Sequence, residues 1–178
     1  ALDKEYPNWE EGGEYNPVFK TIPQVNHVSV WNFYPDPDAT NMDEAQYAIE
    51  RHKLSRSQLR GLKKRPFFRS NMIDLSIQMG EGYAKKYYAT GETYVDRFEV
   101  IEYWGTVDTE MLLDNNVKIP KELSDYDELH ANIWICQNNL LRVVLNPFKP
   151  ARIPYMAAPY ELNPYSFFGV GIAENMDD

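Results

Sequence analysis

Residues 129–145 decide the fold: Leu129-His130-Ala131-Asn132-Ile133-Trp134-Ile135-Cys136, then Gln137-Asn138-Asn139, then Leu140-Leu141-Arg142-Val143-Val144-Leu145. Leu129, Ala131, Ile133 and Ile135 alternate with His130, Asn132, Trp134 and Cys136, the two-residue period of a strand with two unlike faces. Asn138-Asn139 tolerate left-handed backbone and are predicted to turn this strand into a second one over Leu140–Leu145, making a hairpin. On this reading Leu129, Ile133, Ile135, Leu141 and Val143 share one core. Cys136, the only cysteine, reads as a small buried hydrophobe and not as a nucleophile. A lone cysteine also excludes an intramolecular disulfide.

Other strands are expected on either side of a helical insert. Val28 to Tyr34 is β-branched and aromatic and is closed by Pro35-Asp36-Pro37, which predicts a strand ending in a turn. Ala45 to Lys53 alternates, with Tyr47 and Ile49 on one face and Gln46, Glu50 and His52 on the other. Phe98 to Trp104 is expected to be a strand buried on most of its length. Ser55-Arg56-Ser57-Gln58 has capping-box spacing and predicts a helix to about Lys64, stopped before Pro66. A second helix is expected from about Phe68 to Met79, with Met72, Leu75 and Met79 inward and Gly80 and Gly82 ending it. Residues 81–96 receive no assignment. Prolines at 147, 150, 154, 159 and 164 predict an extended, wrapping tail.

These elements predict an α+β fold, mainly an antiparallel sheet or a small β-barrel or sandwich, with a two-helix insert. Residues 1–24 are expected to form an irregular arm, 25–160 the α+β domain, and 161–178 an extended segment. With 178 residues, 43% hydrophobic and 14% aromatic, the chain can bury one sizeable core. The run Leu140–Leu145 is too short to span a bilayer, and no secretory signal pattern is present.

The net charge is −9, which argues against a surface that binds nucleic acid throughout. Its distribution is uneven. Arg51, Lys53, Arg56, Arg60, Lys63, Lys64, Arg65 and Arg69 lie in a segment without Asp or Glu. Within it Arg56, Arg60, Lys63, Lys64 and Arg65 are the candidate surface for an acidic neighbouring subunit or for the DNA backbone. Asp36, Asp38, Asn41, Asp43 and Glu44 fail the EF-hand pattern, because Asn41 stands where the loop needs glycine and Tyr47 where it needs glutamate. They read as a solvated acidic turn. His27, His52 and His130 lack ligand-like spacing with one another, so neither a metal nor a cofactor is expected. No catalytic fingerprint occurs. A hydrolase-like enzyme using His130 or Asp108 is the alternative from another class, and a non-enzymatic role is preferred.

Four apolar-aromatic phrases lie along the chain in a fixed order: Trp31-Asn32-Phe33-Tyr34-Pro35-Asp36-Pro37-Asp38-Ala39, then Glu102-Tyr103-Trp104-Gly105, then Asn139-Leu140-Leu141-Arg142 with Asn146-Pro147-Phe148, and last Pro164-Tyr165-Ser166-Phe167-Phe168-Gly169-Val170-Gly171. In this order they resemble the portal, or head-to-tail connector, proteins of tailed bacteriophages, of the kind found in short-tailed phages and prophages. The resemblance covers about Val28 to Gly171. It implies the wing region of a ring subunit, typically dodecameric, at one capsid vertex. Through that ring DNA is packaged by a docked terminase, and to it the tail attaches. It further implies as partners other portal subunits, terminase, capsid or scaffold proteins and tail adaptors, with no membrane and no catalytic residues. The expected location is the virion, and the host cytoplasm during assembly. In the family the Phe-Tyr-Gly-like phrase precedes a long stem helix, so residues 161–178 are expected to lead toward a stem, with clip and crown beyond it, that lie outside this chain. Another virion structural or adaptor domain is the nearer alternative.

Overall fold

The computed structural model describes residues 25–88 and 97–171, with backbone alone over 81–88. Five strands form one antiparallel meander in the order β1-β2-β3-β4-β5: Phe33–Pro35, Tyr47–Leu54, Phe98–Asp108, Glu128–Cys136 and Asn139–Leu145. Of the forms left open by the sequence, the protein takes the open sheet. Between β2 and β3 lie helix α1, Arg56–Gly61, continued as a 3-10 turn over Leu62–Lys64, and helix α2, Ser70–Tyr88. A short helix α3, Thr109–Asp114, follows β3.

Both faces of the sheet carry a core, and the alternation in each strand sorts residues between them. On one face Phe98, Val100, Trp134, Cys136 and Leu141 meet Leu59, Leu62, Phe68, Ile73 and Ile77 from the helical insert. On the other, Leu129, Ala131, Ile133 and Val143 meet Leu112 of α3 and the partly buried Val117, Ile119 and Leu123. The single shared core expected for the hairpin is therefore corrected. Leu129, Ile133, Ile135 and Val143 lie together, whereas Leu141 belongs to the helix-covered face. The cause is a bulge: Trp134 pairs with Arg142 and Ile135 with Leu140, leaving Leu141 as an extra residue. One inserted residue flips the side-chain phase. The Leu141 carbonyl, opened by the bulge, accepts from the Arg69 backbone N at 2.8 Å. The hairpin turn sits one residue earlier than expected, at Gln137-Asn138, with Gln137 taking the positive φ of 55°.

The capping box at Ser55 forms, with Gln58 N donating to Ser55 Oγ and Gln58 Oε1 accepting from Ser55 N. Two other expectations are corrected. Val28 to Tyr34 is not a continuous strand: Val30–Asn32 is a 3-10 turn and only Phe33–Pro35 joins the sheet. Helix α2 does not stop at Gly80, and its inward face is rotated from the expected one. Ile73, Ser76 and Ile77 are buried and Met72 packs against the core as expected, while Leu75 and Met79 are 41% and 48% exposed. Gly80 continues that inward stripe at helical spacing. A Cβ there would lie 2.3 Å from Cε1 of Phe98. The glycine thus serves close helix–sheet approach and not termination.

After β5 the chain runs without helix or strand from Asn146 to Gly171, apart from one bridge between Glu161 and Val170. This strap crosses the sheet face that carries Glu50, Glu102 and Trp104. The predicted extended tail is present, although from Asn146 it already belongs to the domain. The arm of residues 1–24 and the end of the last segment, 172–178, fall outside the described residues. No described helix is long and apolar enough to cross a membrane.

Candidate functional site

On the strap-covered face, strand pairing sets Glu50 of β2 directly opposite Glu102 of β3, with His52 two residues along β2 on the same side. Like charges placed opposite each other on neighbouring strands repel, so the pair needs donors and positive charge. Both are supplied. Glu102 Oε1 accepts from Trp104 Nε1 at 2.7 Å and from Asn132 Nδ2 at 3.0 Å. Glu102 Oε2 faces His52 Nε2 at 2.9 Å. The other ring nitrogen, Nδ1, lies 3.5 Å from Glu50 Oε1. Glu50 Oε2 accepts from the Tyr155 hydroxyl at 2.8 Å. The imidazole stacks on the Trp134 indole, with centroids 4.9 Å apart and planes 4° from parallel.

The cluster is partly sealed. Side-chain exposure is 18% for Glu50, 21% for His52 and 12% for Glu102. Burial, followed by the charge of Glu102 and the contact with Glu50, holds the Tyr155 phenol far above the usual tyrosine range. Burial lowers the Arg142 pKa, Glu102 opposes that effect and Arg65 reinforces it. The Arg142 guanidinium sits 5.3 Å from the centroid of the Phe68 ring. Sequence reading places Glu50 and His52 on one strand face but does not connect them with Glu102. The missing signal is the β2–β3 register, which no local pattern states.

Aromatic contacts beside this cluster join the four sequence phrases in two pairs. From the first, Phe33 meets Tyr155 edge-on at 5.0 Å and Phe167 of the fourth at 6.0 Å. Trp104 of the second lies 6.2 Å from Phe148 of the third. In the second phrase Tyr103 stacks on Tyr47 across β2–β3 at 5.9 Å. A Cβ on Gly105 would lie 2.6 Å from the Tyr103 hydroxyl and from Tyr47 Cβ, and 2.9 Å from the Gln46 carbonyl oxygen. In the fourth phrase a Cβ on Gly169 would lie 2.2 Å from the Glu161 carbonyl oxygen, beside the Val170 N to Glu161 O bond at 3.0 Å. In the third, Asn139 Nδ2 donates to the buried Ser76 Oγ at 3.0 Å, tying β5 to α2. Asn146 Oδ1 accepts from Phe148 N at 2.9 Å and starts the strap.

The candidate basic surface divides in two. Arg60, Lys64 and Arg65 are exposed. Lys63 is half-buried and bonds Asp74, and Arg56 is half-buried and engaged within the protein. Phe67, 73% exposed and at φ 66°, projects beside them. The acidic turn is organised by its own backbone. Asp36 is buried and its carboxylate accepts from Asp38 N and Gln46 N, both at 3.1 Å. Asn41 Oδ1 accepts from Asp43 N and Glu44 N. Cys136 is fully buried and burial pushes its thiol pKa up, which opposes thiolate chemistry. His130 and Asp108 lie on adjacent strands, paired with Thr106 and Glu128 respectively, not with each other. The His130 Nδ1 has no hydrogen-bond partner among the described residues. No protein-family model matches the chain, and no curated protein matches its sequence.

Proposed function

We propose that this chain is the wing region of a tailed-phage portal subunit, a structural part of the ring through which DNA is packaged and to which the tail attaches. The observation that carries the reading is the joint packing of the four portal-like phrases. Phrases one and four meet through Phe33 and Phe167, and phrases two and three through Trp104 and Phe148. Residues dispersed over some 140 positions are thus brought together in two pairs, which supports a shared architecture as the origin of the phrases. Gly105 and Gly169 each sit where a side chain would collide, so these phrases report backbone geometry and not chemistry.

A structural role also fits the polar groups. Glu102 accepts from Trp104 and Asn132 and faces His52 Nε2, and the Tyr155 hydroxyl is engaged by Glu50. On this proposal the exposed Arg60, Lys64 and Arg65 meet an acidic face of the adjacent subunit, in keeping with the net charge of −9. Terminase, capsid or scaffold proteins and tail adaptors are the remaining partners, in the virion and in the host cytoplasm during assembly.

The test is negative-stain electron microscopy of the complete gene product that contains this chain. Closed rings, dodecameric in the expected case, support the proposal. A product that remains monomeric at tens of micromolar, and that fails to bind the large terminase of the same genome, refutes it.

A further inference from the structure

We propose that Glu50, His52 and Glu102 form a binding site for a divalent transition-metal ion of the zinc or manganese type, an inference independent of the portal reading. One ring nitrogen of His52 and one oxygen from each glutamate lie within 4.8 Å of one another. A tetrahedral ion with ligands at about 2.0–2.2 Å spaces neighbouring ligand atoms roughly 3.4 Å apart. The His52 Nε2–Glu102 Oε2 approach of 2.9 Å is near that value, while the 3.5 Å approach to Glu50 Oε1 is made by the other ring nitrogen, Nδ1. An ion held on Nε2 completes the set once the Glu50 carboxylate turns from the Nδ1 side of the ring toward the Nε2 side.

The argument for a cation rests first on charge. Two glutamates on directly opposed strand positions, each mostly shielded from water, repel unless positive charge lies between them. An ion held between the three side chains supplies that charge.

The second argument is orientation. Each carboxylate has one oxygen occupied by donors from outside the trio and the other turned toward His52. Trp104 and Asn132 hold Glu102 Oε1, leaving Oε2 facing the ring. Tyr155 holds Glu50 Oε2, leaving Oε1 facing the ring. Outer hydrogen bonds that fix ligand carboxylates in this manner are a regular part of metal sites. Stacking on Trp134 fixes the imidazole plane as well. One nitrogen and two carboxylate oxygens suit zinc or manganese better than a hard, oxygen-only ion such as magnesium.

The site joins β2 to β3 and, through Tyr155, reaches the strap. Metal binding therefore raises the thermal stability of the domain by mass action. The experiment starts from the 178-residue chain stripped with chelator, and titrates it with Zn2+, Mn2+ and Mg2+ by calorimetry. Bound metal is counted by mass spectrometry after gel filtration. One Zn2+ or Mn2+ per chain with a raised Tm, and no such response to Mg2+, is the expected result. Glu50→Gln keeps an acceptor for Tyr155 and should preserve the native circular dichroism while weakening binding at least 10-fold. His52→Gln should lose binding, and His27→Gln, at an exposed position, should retain it. Failure of the wild-type chain to bind Zn2+ or Mn2+ overturns the proposal. Equal binding by the folded Glu50→Gln and His52→Gln variants overturns it too, by reducing the metal to adventitious surface binding.

Discussion

Replacing Tyr155 by Phe removes one oxygen and leaves the ring that packs edge-on against Phe33. The oxygen donates to Glu50 at 2.8 Å, and Glu50 is 18% exposed, so water can restore only part of what is lost. A hydrogen bond to a charged acceptor contributes about 1.5–3 kcal/mol. Partial solvent access places the expected loss at the lower end, roughly 1.5 kcal/mol. Because Tyr155 lies in a strap without helix or ladder, the loss should appear first as strap opening and only partly as global unfolding. An opening equilibrium shifted by that amount exposes the strap roughly ten times more often. Trypsin cleavage after Arg152 in the native protein measures this and should accelerate by about that factor. The sign of the pH effect follows from the raised pKa of Tyr155. Its stabilising contribution is complete below the ordinary tyrosine value of 10.0 and is lost as pH rises above it. Wild-type strap protection should therefore decline above about pH 10, and more steeply than in Tyr155→Phe. Cleavage rates equal in the two proteins at both neutral and alkaline pH would refute the anchoring role.

Three further outcomes are expected. Gly105→Ala should destabilise by about 1–3 kcal/mol in urea unfolding, because the Gln46 backbone oxygen cannot swing away from the new methyl as a side chain could. Leu141→Ala should cost about 2–5 kcal/mol; hydrogen exchange should rise in α2 and leave α3 little changed, since Leu141 packs with Ile73 and Ile77 and not with Leu112. Reversal of Arg60, Lys64 and Arg65 to Glu should shift domain stability by no more than about 0.5 kcal/mol, measured by thermal melting, yet abolish ring assembly of the complete gene product; undisturbed rings return this surface to an ordinary solvated one.

The strands over 47–54 and 128–145 were legible because alternation is local information, and the capping box at Ser55 was legible for the same reason. The fold class followed from those elements and the helical pattern between them. The errors have a common origin in contacts between distant segments. Nothing near Leu141 states that Arg69 will take its carbonyl and that the strand will bulge there. Met72, Leu75 and Met79 share one helical face, and Ile73, Ser76 and Ile77 another that also contains a serine. Hydrophobicity alone favours the first. The structure uses the second because Ser76 finds partners in the Met72 carbonyl and Asn139, and because Gly80 lets Phe98 approach.

The polar cluster illustrates the same division more sharply. Glu50-Arg51-His52 places a carboxylate and an imidazole on one side of a strand, which is visible in three residues. Whether that pair faces water, a neighbouring subunit or a sealed interior depends on what lies over it. Here that is decided by Glu102 from one strand away and Tyr155 from 105 positions along the chain. A row of Glu, His, Glu, Trp and Asn along a half-exposed sheet would ordinarily be read as solvent-facing. The strap turns it inward by covering it with Phe148, Tyr155 and Phe167. A charged row under such a cover persists only if its charges are compensated within the cluster. The donors on both glutamates meet that condition in part, and the remaining demand falls between the two carboxylates, where His52 stands. Tyr155, reaching Glu50 from the strap, ties that cluster to the cover that seals it.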